Sequence, residues 1–351
     1  MESISRDACP GLRAPGSVRK CNNRIAVINS CSMTPNISDI LLSSYGQMSY
    51  IPAPVNRMMS SFAHDFREGF DINLGVGYVN EATIPRARIL EAMEHVLTHP
   101  ARYKTALNYG GPKGSKNLID SIKAFYISRG IGGLSEEVLD SKQIIVGPNG
   151  ASSLLEGIAE VLRPGIVITT DPMYYIYCHL LERKGYTVVT VPEGRAGLQA
   201  EAVASKVQEL GTACRDISFF YVVTVNNPSS AILPNRERSA LVRLVADLSA
   251  KLGRKIPLVF DKAYEDLIHD PDTEAMQSGF LADETGLVFE IGTLSKILGP
   301  ALRIGYMIGK DGPIIQSLTQ KTSDSGFSAP LEHMRSALAY AEKKLQIHSA
   351  S

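Results

Sequence analysis

Cysteine is scarce in this 351-residue chain. Cys9, Cys21, Cys31, Cys178 and Cys214 are odd in number and form no CxxC pair, which speaks against a disulfide framework or a zinc ribbon. Such usage fits a reduced, intracellular compartment, and the expected location is the cytoplasm. The histidines form no HExxH motif and no His/Cys cluster at ligand spacing, so no metal site is expected. No segment approaches the ~18 consecutive apolar residues of a membrane helix, so no membrane partner is expected. An excess of one charge is missing too. The 36 Lys+Arg balance 36 Asp+Glu, whereas a dedicated nucleic-acid binder needs a basic surface to neutralise phosphates. No nucleic-acid partner is therefore expected.

What is present is ordinary globular composition, 44% hydrophobic and 21% charged, on a chain long enough for one large domain or two coupled ones. Residues 1–40 differ from the rest. They hold Arg6, Arg13, Arg19, Lys20 and Arg24 against Glu2 and Asp7, with three of the five cysteines. No secretory h-region precedes a small-residue cleavage site, so a disordered tail or a short leader is expected there.

From about Ser38 the chain becomes periodic. Apolar residues at helical spacing predict helices over 84–98, 113–128, 152–162, 176–184, 200–210 and 236–252. Short β-branched runs predict strands at 144–146, 166–169, 187–191, 217–223, 257–260, 287–291 and 304–308. This alternation predicts an α/β fold of three layers, a mostly parallel central sheet with helices on both faces.

Familiar motifs fail on inspection. Gly75-Val-Gly77-Tyr-Val-Asn80 lacks the third glycine of a dinucleotide fingerprint. Gly110-Gly111-Pro112-Lys-Gly114 is no phosphate-cradling Walker loop, since Pro112 removes an amide. No Gly-x-Ser-x-Gly elbow occurs.

Two stretches carry chemistry. In Gly292-Thr293-Leu-Ser295-Lys296, a lysine follows an apolar strand, a setting that disfavours its charged form and suits a nucleophilic amine. Arg303 lies seven residues on and, with Thr293 and Ser295, could bind a dianionic phosphate. The same residues read equally well as an exposed loop lysine beside a surface arginine. In Leu258-Val-Phe-Asp261-Lys-Ala-Tyr264, an apolar strand ends in a carboxylate with a phenol three residues later. Such an aspartate can keep a heteroaromatic nitrogen protonated, making the ring an electron sink. Asp261 can also be read as a helix N-cap.

Taken together from Asn73 to Gly309, these motifs resemble the fold-type-I pyridoxal-phosphate enzymes of the class I/II aminotransferases. The resemblance implies pyridoxal 5′-phosphate (PLP) as cofactor, amino acid and 2-oxo acid as substrates, and a homodimer. Lys296 matches the lysine that holds PLP as an internal aldimine and later shuttles the proton. Arg303, Thr293 and Ser295 match the phosphate side, and Asp261 the ring-nitrogen partner. Tyr264 and Asn227 match the partners of the ring oxygen. Gly150, Ala151 and Ser152 match the helix start that takes the phosphate, and Tyr174 the aromatic that stacks on the ring. Tyr109 resembles the tyrosine that reaches the neighbouring subunit's phosphate. Gly77 and Tyr78 fall where the family lines its substrate pocket. β- or γ-elimination, replacement or condensation would use the same residues, as would a non-catalytic cofactor-binding domain.

The implied organisation is an N-terminal arm over 41–72, a PLP-binding large domain over 73–310 and the helical start of a small domain over 311–351. Three departures stand out. Ser230 stands where the family usually has glycine, and Ala151 replaces a common hydroxyl. Only 48 residues follow Arg303, with Arg335 their sole arginine, too few for the family's small domain and its carboxylate-gripping arginine, so either a truncated chain or a substrate held differently is expected.

Overall fold

The structure, a computed structural model, describes residues 40–50, 56–57, 60, 67, 69–72, 79–104, 106–194 and 197–327. The basic, cysteine-bearing segment 1–39, Gly77, Tyr78 and Arg335 lie outside the described residues. Every element below belongs to the unit Ser43–Ser351.

Seven strands form one sheet: β1 (Lys142–Gly147), β2 (Ile166–Asp171), β3 (Thr187–Pro192), β4 (Ile217–Val223), β5 (Leu258–Asp261), β6 (Val288–Thr293) and β7 (Gly305–Lys310). Their order is β1-β7-β6-β5-β4-β2-β3. All pairings are parallel except those of β7, which runs antiparallel to both β1 and β6. The short connection from β6 to β7 makes this possible, because antiparallel neighbours need no crossover helix.

The described α-helices are α1 (Ser44–Ser49), α2 (Arg86–Thr98), α3 (Lys116–Arg129), α4 (Glu136–Asp140), α5 (Gly150–Val161), α6 (Tyr175–Arg183), α7 (Ala200–Glu209), α8 (Asn235–Leu252) and α9 (Pro313–Asp324). Their ends follow local chemistry. Gly130 and Gly253, at φ +59° and +64°, end α3 and α8 in the left-handed conformation that glycine adopts without a Cβ penalty. Six helices and all seven strands fall where the periodicity predicts them, within a few residues. The short α4 carries too little apolar pattern to stand out in the sequence.

Strand alternation sorts side chains into two cores. Phe220, Val222, Leu258 and Phe260 join one, with Leu118 and Ile122 of α3 and Leu241 and Val245 of α8. Phe219, Tyr221, Val223 and Val259 join the other, with Leu154 and Ile158 of α5, Tyr177 of α6 and Ile315 of α9. Sheets covered on both faces read as unbroken apolar runs, as β4 does. No helix among the described residues is long and apolar enough to cross a membrane.

Charges also lie inside this fold. Glu290, in the middle of β6, accepts from Ser278 Oγ at 2.7 Å, Gly279 N at 2.8 Å and Lys262 Nζ at 3.0 Å. Lys262 also approaches Glu265 at 3.4 Å, and Glu265 pairs with Arg238, which is 1% exposed. Burial alone would push the Lys262 ammonium down, yet Glu290 and Glu265 outweigh it and hold it above its ordinary value. The four charges sum to zero and tie α8 to β5 and β6. Removing one member of a buried pair typically costs ~3–5 kcal/mol, because its partner stays charged and buried. Glu290→Ala is therefore expected to lower the unfolding free energy by about that amount in urea denaturation, and Lys262→Met in the same chain should recover part of the loss. A Glu290→Ala chain as stable as the parent would show that the pair contributes nothing.

Candidate active site

The sheet register collects the chemistry at one edge. Val223 pairs with Asp261, Asp261 with Ile291, Thr293 with Gly305 and Gly305 with Gly147. The segments that leave β1, β4, β5 and β6 therefore emerge side by side, at the carboxyl edge where α/β sheets form crevices. They carry Asn149–Ser152, Thr224–Asn227, Asp261–Tyr264 and Thr293–Lys296. The segment after β2 is drawn in too, since Asn226 Nδ2 donates to Pro172 O at 2.8 Å, two residues before Tyr174.

Asp261 is 5% exposed. Its Oδ2 accepts from the Tyr221 hydroxyl at 2.8 Å and its Oδ1 from the Ala263 amide at 3.0 Å. The second bond does the work of a cap, but it braces a turn and no α-helix follows. Among the described residues no cation lies within ion-pair distance of this carboxylate. Burial pushes its pKa up, against the hydrogen bonds from Tyr221 and Ala263 and the more distant charge of Lys296. A buried carboxylate of this kind is matched by a cation placed against it.

Tyr264 and Asn227 meet: Asn227 Nδ2 donates to the Tyr264 hydroxyl at 3.1 Å. The Lys296 ammonium lies 5.2 Å from the centre of the Tyr264 ring, half-buried. Tyr174, also half-buried, has its phenol pushed up to about 12, first by burial and then by the charge of Asp261. Asp261, Tyr264, Asn227, Tyr174 and Lys296 thus form one cluster.

A second cluster adjoins it at the start of α5. No side chain caps this helix, because Asn149 Oδ1 accepts from Arg303 Nε at 2.7 Å instead. Arg303 Nη2 also donates to Asn149 O at 3.0 Å, and Nη1 to Pro300 O at 3.2 Å. The open amides of Gly150, Ala151 and Ser152, with the guanidinium beside them, form an anion site. Two glycines allow the approach. Gly150 has φ +69°, and a Cβ on Gly305 would sit 2.1 Å from Ala151 N. The Thr293 hydroxyl donates to Ile304 O at 2.7 Å and accepts from Ser295 N at 3.2 Å. It braces the turn, and the Ser295 hydroxyl lies 3.0 Å from it.

Some expected residues behave differently. Tyr109 is 76% exposed and packs edge-on to Phe327, so the fold of this chain does not bring it to the cluster. Ser230 adopts φ +63°, the conformation that explains why glycine is usual at that position. Two participants escaped the sequence reading. Asn149 carried no motif signal, and Tyr221 looked like one more core aromatic in β4.

Solved structures share this arrangement of chain, and curated relatives are similar to it in sequence. The HTH-type transcriptional regulator YisV of Bacillus subtilis is 23% identical over 282 residues, 77% of this chain and 52% of the relative. Aromatic-amino-acid aminotransferase 1 of Thermococcus litoralis is 26% identical over 239 residues, 67% of this chain and 54% of the relative. This chain thus spans about half the length of the curated relatives it matches. The structure of Pyrococcus horikoshii kynurenine aminotransferase superposes with a TM-score of 0.74 at 23% identity, covering 86% of this chain and 71% of that one. Its large domain has the fold-type-I architecture seen here. A family model described as aminotransferase class I and II matches residues 71–349. With that match extending over most of its length, the chain belongs to the aminotransferase class I and II family.

Proposed function

We propose that this chain binds PLP and transfers an amino group between an amino acid and a 2-oxo acid. The observation that carries this reading is the buried Asp261 carboxylate, without a cation of its own among the described residues, at the same sheet edge as Lys296 and an uncapped helix start. The donor set fits the cofactor at each of its polar points. The amides of Gly150, Ala151 and Ser152, the Ser295 hydroxyl and the spare N–H groups of Arg303 suit a phosphate. Asp261 suits a protonated ring nitrogen, Tyr264 and Asn227 a phenolic oxygen, and the Tyr174 ring a stacking face. When bound, PLP supplies the electron sink that the protein lacks.

The chain's own residues do the rest. Lys296 supplies the amine that holds the cofactor. Once free, that amine is the base for the proton on the amino acid's α-carbon. Asp261 keeps a proton on the ring nitrogen, because the opposite charge favours the cationic form. Tyr264 and Asn227, already joined at 3.1 Å, would hold the cofactor's phenolic oxygen from two elements.

A second reading has a specific observation in its favour. YisV is described as an HTH-type transcriptional regulator, and so is NorG of Staphylococcus aureus, 22% identical to this chain over 82% of its length. A domain of this kind would bind the cofactor and signal its presence without turnover. Incubation of the loaded protein with single amino acids separates the readings. Oxo acid released without ammonia supports amino-group transfer, and ammonia points to elimination on the same residues. Firmly bound cofactor with neither product supports the regulatory reading.

Three further outcomes are expected. Lys296→Ala should abolish the borohydride-reducible link to the cofactor, and a mutant that retains it would place the link elsewhere. Asp261→Asn should still take up saturating PLP while α-proton exchange slows at least about a hundredfold. A buried charge pair broken on one side costs several kcal/mol, and each ~1.4 kcal/mol is about tenfold in rate. Near-normal exchange in that variant would reduce Asp261 to a turn brace. Sedimentation of the loaded protein should give a two-fold dimer, the commonest closed assembly, in which the exposed Tyr109 serves the partner's site. A monomer with full cofactor occupancy would overturn this assignment.

A further inference from the structure

A tyrosine in the centre of a sheet must place its hydroxyl against a partner, because an unbonded buried hydroxyl is costly. Tyr221 is 0% exposed, and its hydroxyl donates to Asp261 Oδ2 at 2.8 Å. The pairing of Tyr221 with Val259 and of Val223 with Asp261 puts the phenol on the carboxylate's side of the sheet, one pleat repeat back. The ring cannot swing away. It meets Tyr177 edge-on at 4.7 Å, and the Tyr177 hydroxyl is tied to Leu155 O at 3.0 Å.

The bond has a chemical consequence that packing alone does not. Asp261 Oδ1 is taken by the Ala263 amide, so Tyr221 supplies the one side-chain donor on Oδ2. Two neutral donors fix the plane of the carboxylate and satisfy part of its hydrogen-bonding capacity. Neither cancels its charge, as a lysine or arginine would. Burial and the Asp261 charge both push the Tyr221 phenol well above its ordinary range, so it remains a donor.

We propose that Tyr221 is a positioning residue for the cofactor's ring nitrogen: its hydroxyl aims the Asp261 carboxylate and leaves the carboxylate's charge for that nitrogen. The proposal rests on the reading of this edge as a PLP site. Tyr221→Phe keeps the ring against Tyr177 and removes only the hydroxyl. Equilibrium binding to apoprotein tests it, with PLP and with 1-deazapyridoxal 5′-phosphate, which has the same outline but no ring nitrogen. The proteins are the parent, Tyr221→Phe, Asp261→Asn and the double variant. A hydrogen bond to a buried charge is worth about tenfold or more in an equilibrium constant. Tyr221→Phe should therefore bind PLP about tenfold more weakly and bind the deaza analogue as the parent does. The double variant should bind PLP no more weakly than Asp261→Asn alone, because the hydroxyl acts through the carboxylate. Equal losses for both ligands, or losses that add in the double variant, would assign Tyr221 to packing and overturn the proposal. Unchanged PLP binding by Tyr221→Phe would overturn it while leaving the PLP site intact. A parent protein that takes up no PLP would bring down the functional reading itself, and this proposal with it.

Discussion

A carboxylate at the end of a central strand, buried and with no cation beside it among the described residues, is the constraint from which the rest of this site follows. Burying a charge costs several kcal/mol unless something compensates. Asp261 receives two neutral hydrogen bonds, which orient it without neutralising it. One residue further on, Lys262 points to the opposite face of the sheet and is treated in the opposite way. Its charge is matched there by Glu290 and Glu265, with Arg238 completing a neutral set. The two-residue pleat separates a charge held for structure from a charge held in reserve. Glu265 raises the Asp261 pKa while Lys296 lowers it, so the neutral set and the site are coupled across the sheet.

Strand register then explains why residues far apart in sequence share one edge. Gly147, Gly305 and Thr293 lie level across β1, β7 and β6, although 158 positions separate Gly147 from Gly305. The antiparallel β7 is essential to this. It returns the chain from the Lys296 loop immediately, so Lys296 and Arg303 occupy one short connection. It also brings the start of α5 against that connection, where Arg303 takes the Asn149 side chain that would otherwise cap the helix. The helix start stays open because its natural cap is engaged elsewhere.

Much of this was legible in the sequence, for identifiable reasons. Strands of β-branched and aromatic residues ending in polar residues, as Leu258–Asp261 and Val288–Thr293 do, announce both the sheet and its reactive edge. Lys296 and Arg303 gain meaning from Asp261 because the roles proposed for the three complement one another around one small molecule. Tyr221 could not be read, since its role depends on which strand lies beside β4 and in what register. Glu290 did leave a signal: a carboxylate between Phe289 and Ile291 in a buried strand requires a partner. Lys262, unusual beside Asp261 at an apolar strand's end, is that partner. Thr293 adds a contact that its motif did not announce: its hydroxyl, expected on the phosphate side, donates to Ile304 O and braces the turn.

The two readings of this site rest on the same residues. Holding PLP and activating it would draw on one set of groups: on the proposed reading, Asp261 would attract the ring nitrogen and by the same charge make the ring electron-withdrawing. A protein selected only to sense the cofactor would keep Asp261, Arg303 and the open helix start for affinity alone. The separable demand falls on Lys296, which must hold the cofactor in either case but must leave it and reach an α-proton only in an enzyme. The Lys296 side chain is half-buried over the face of Tyr264, on a loop whose hydrogen bonds run through Thr293 and Leu294 to Ile304. Its backbone is thereby fixed while its amine lies over a ring face. That combination suits a group with two positions to occupy, which is what the proposed amino-group transfer would ask of it.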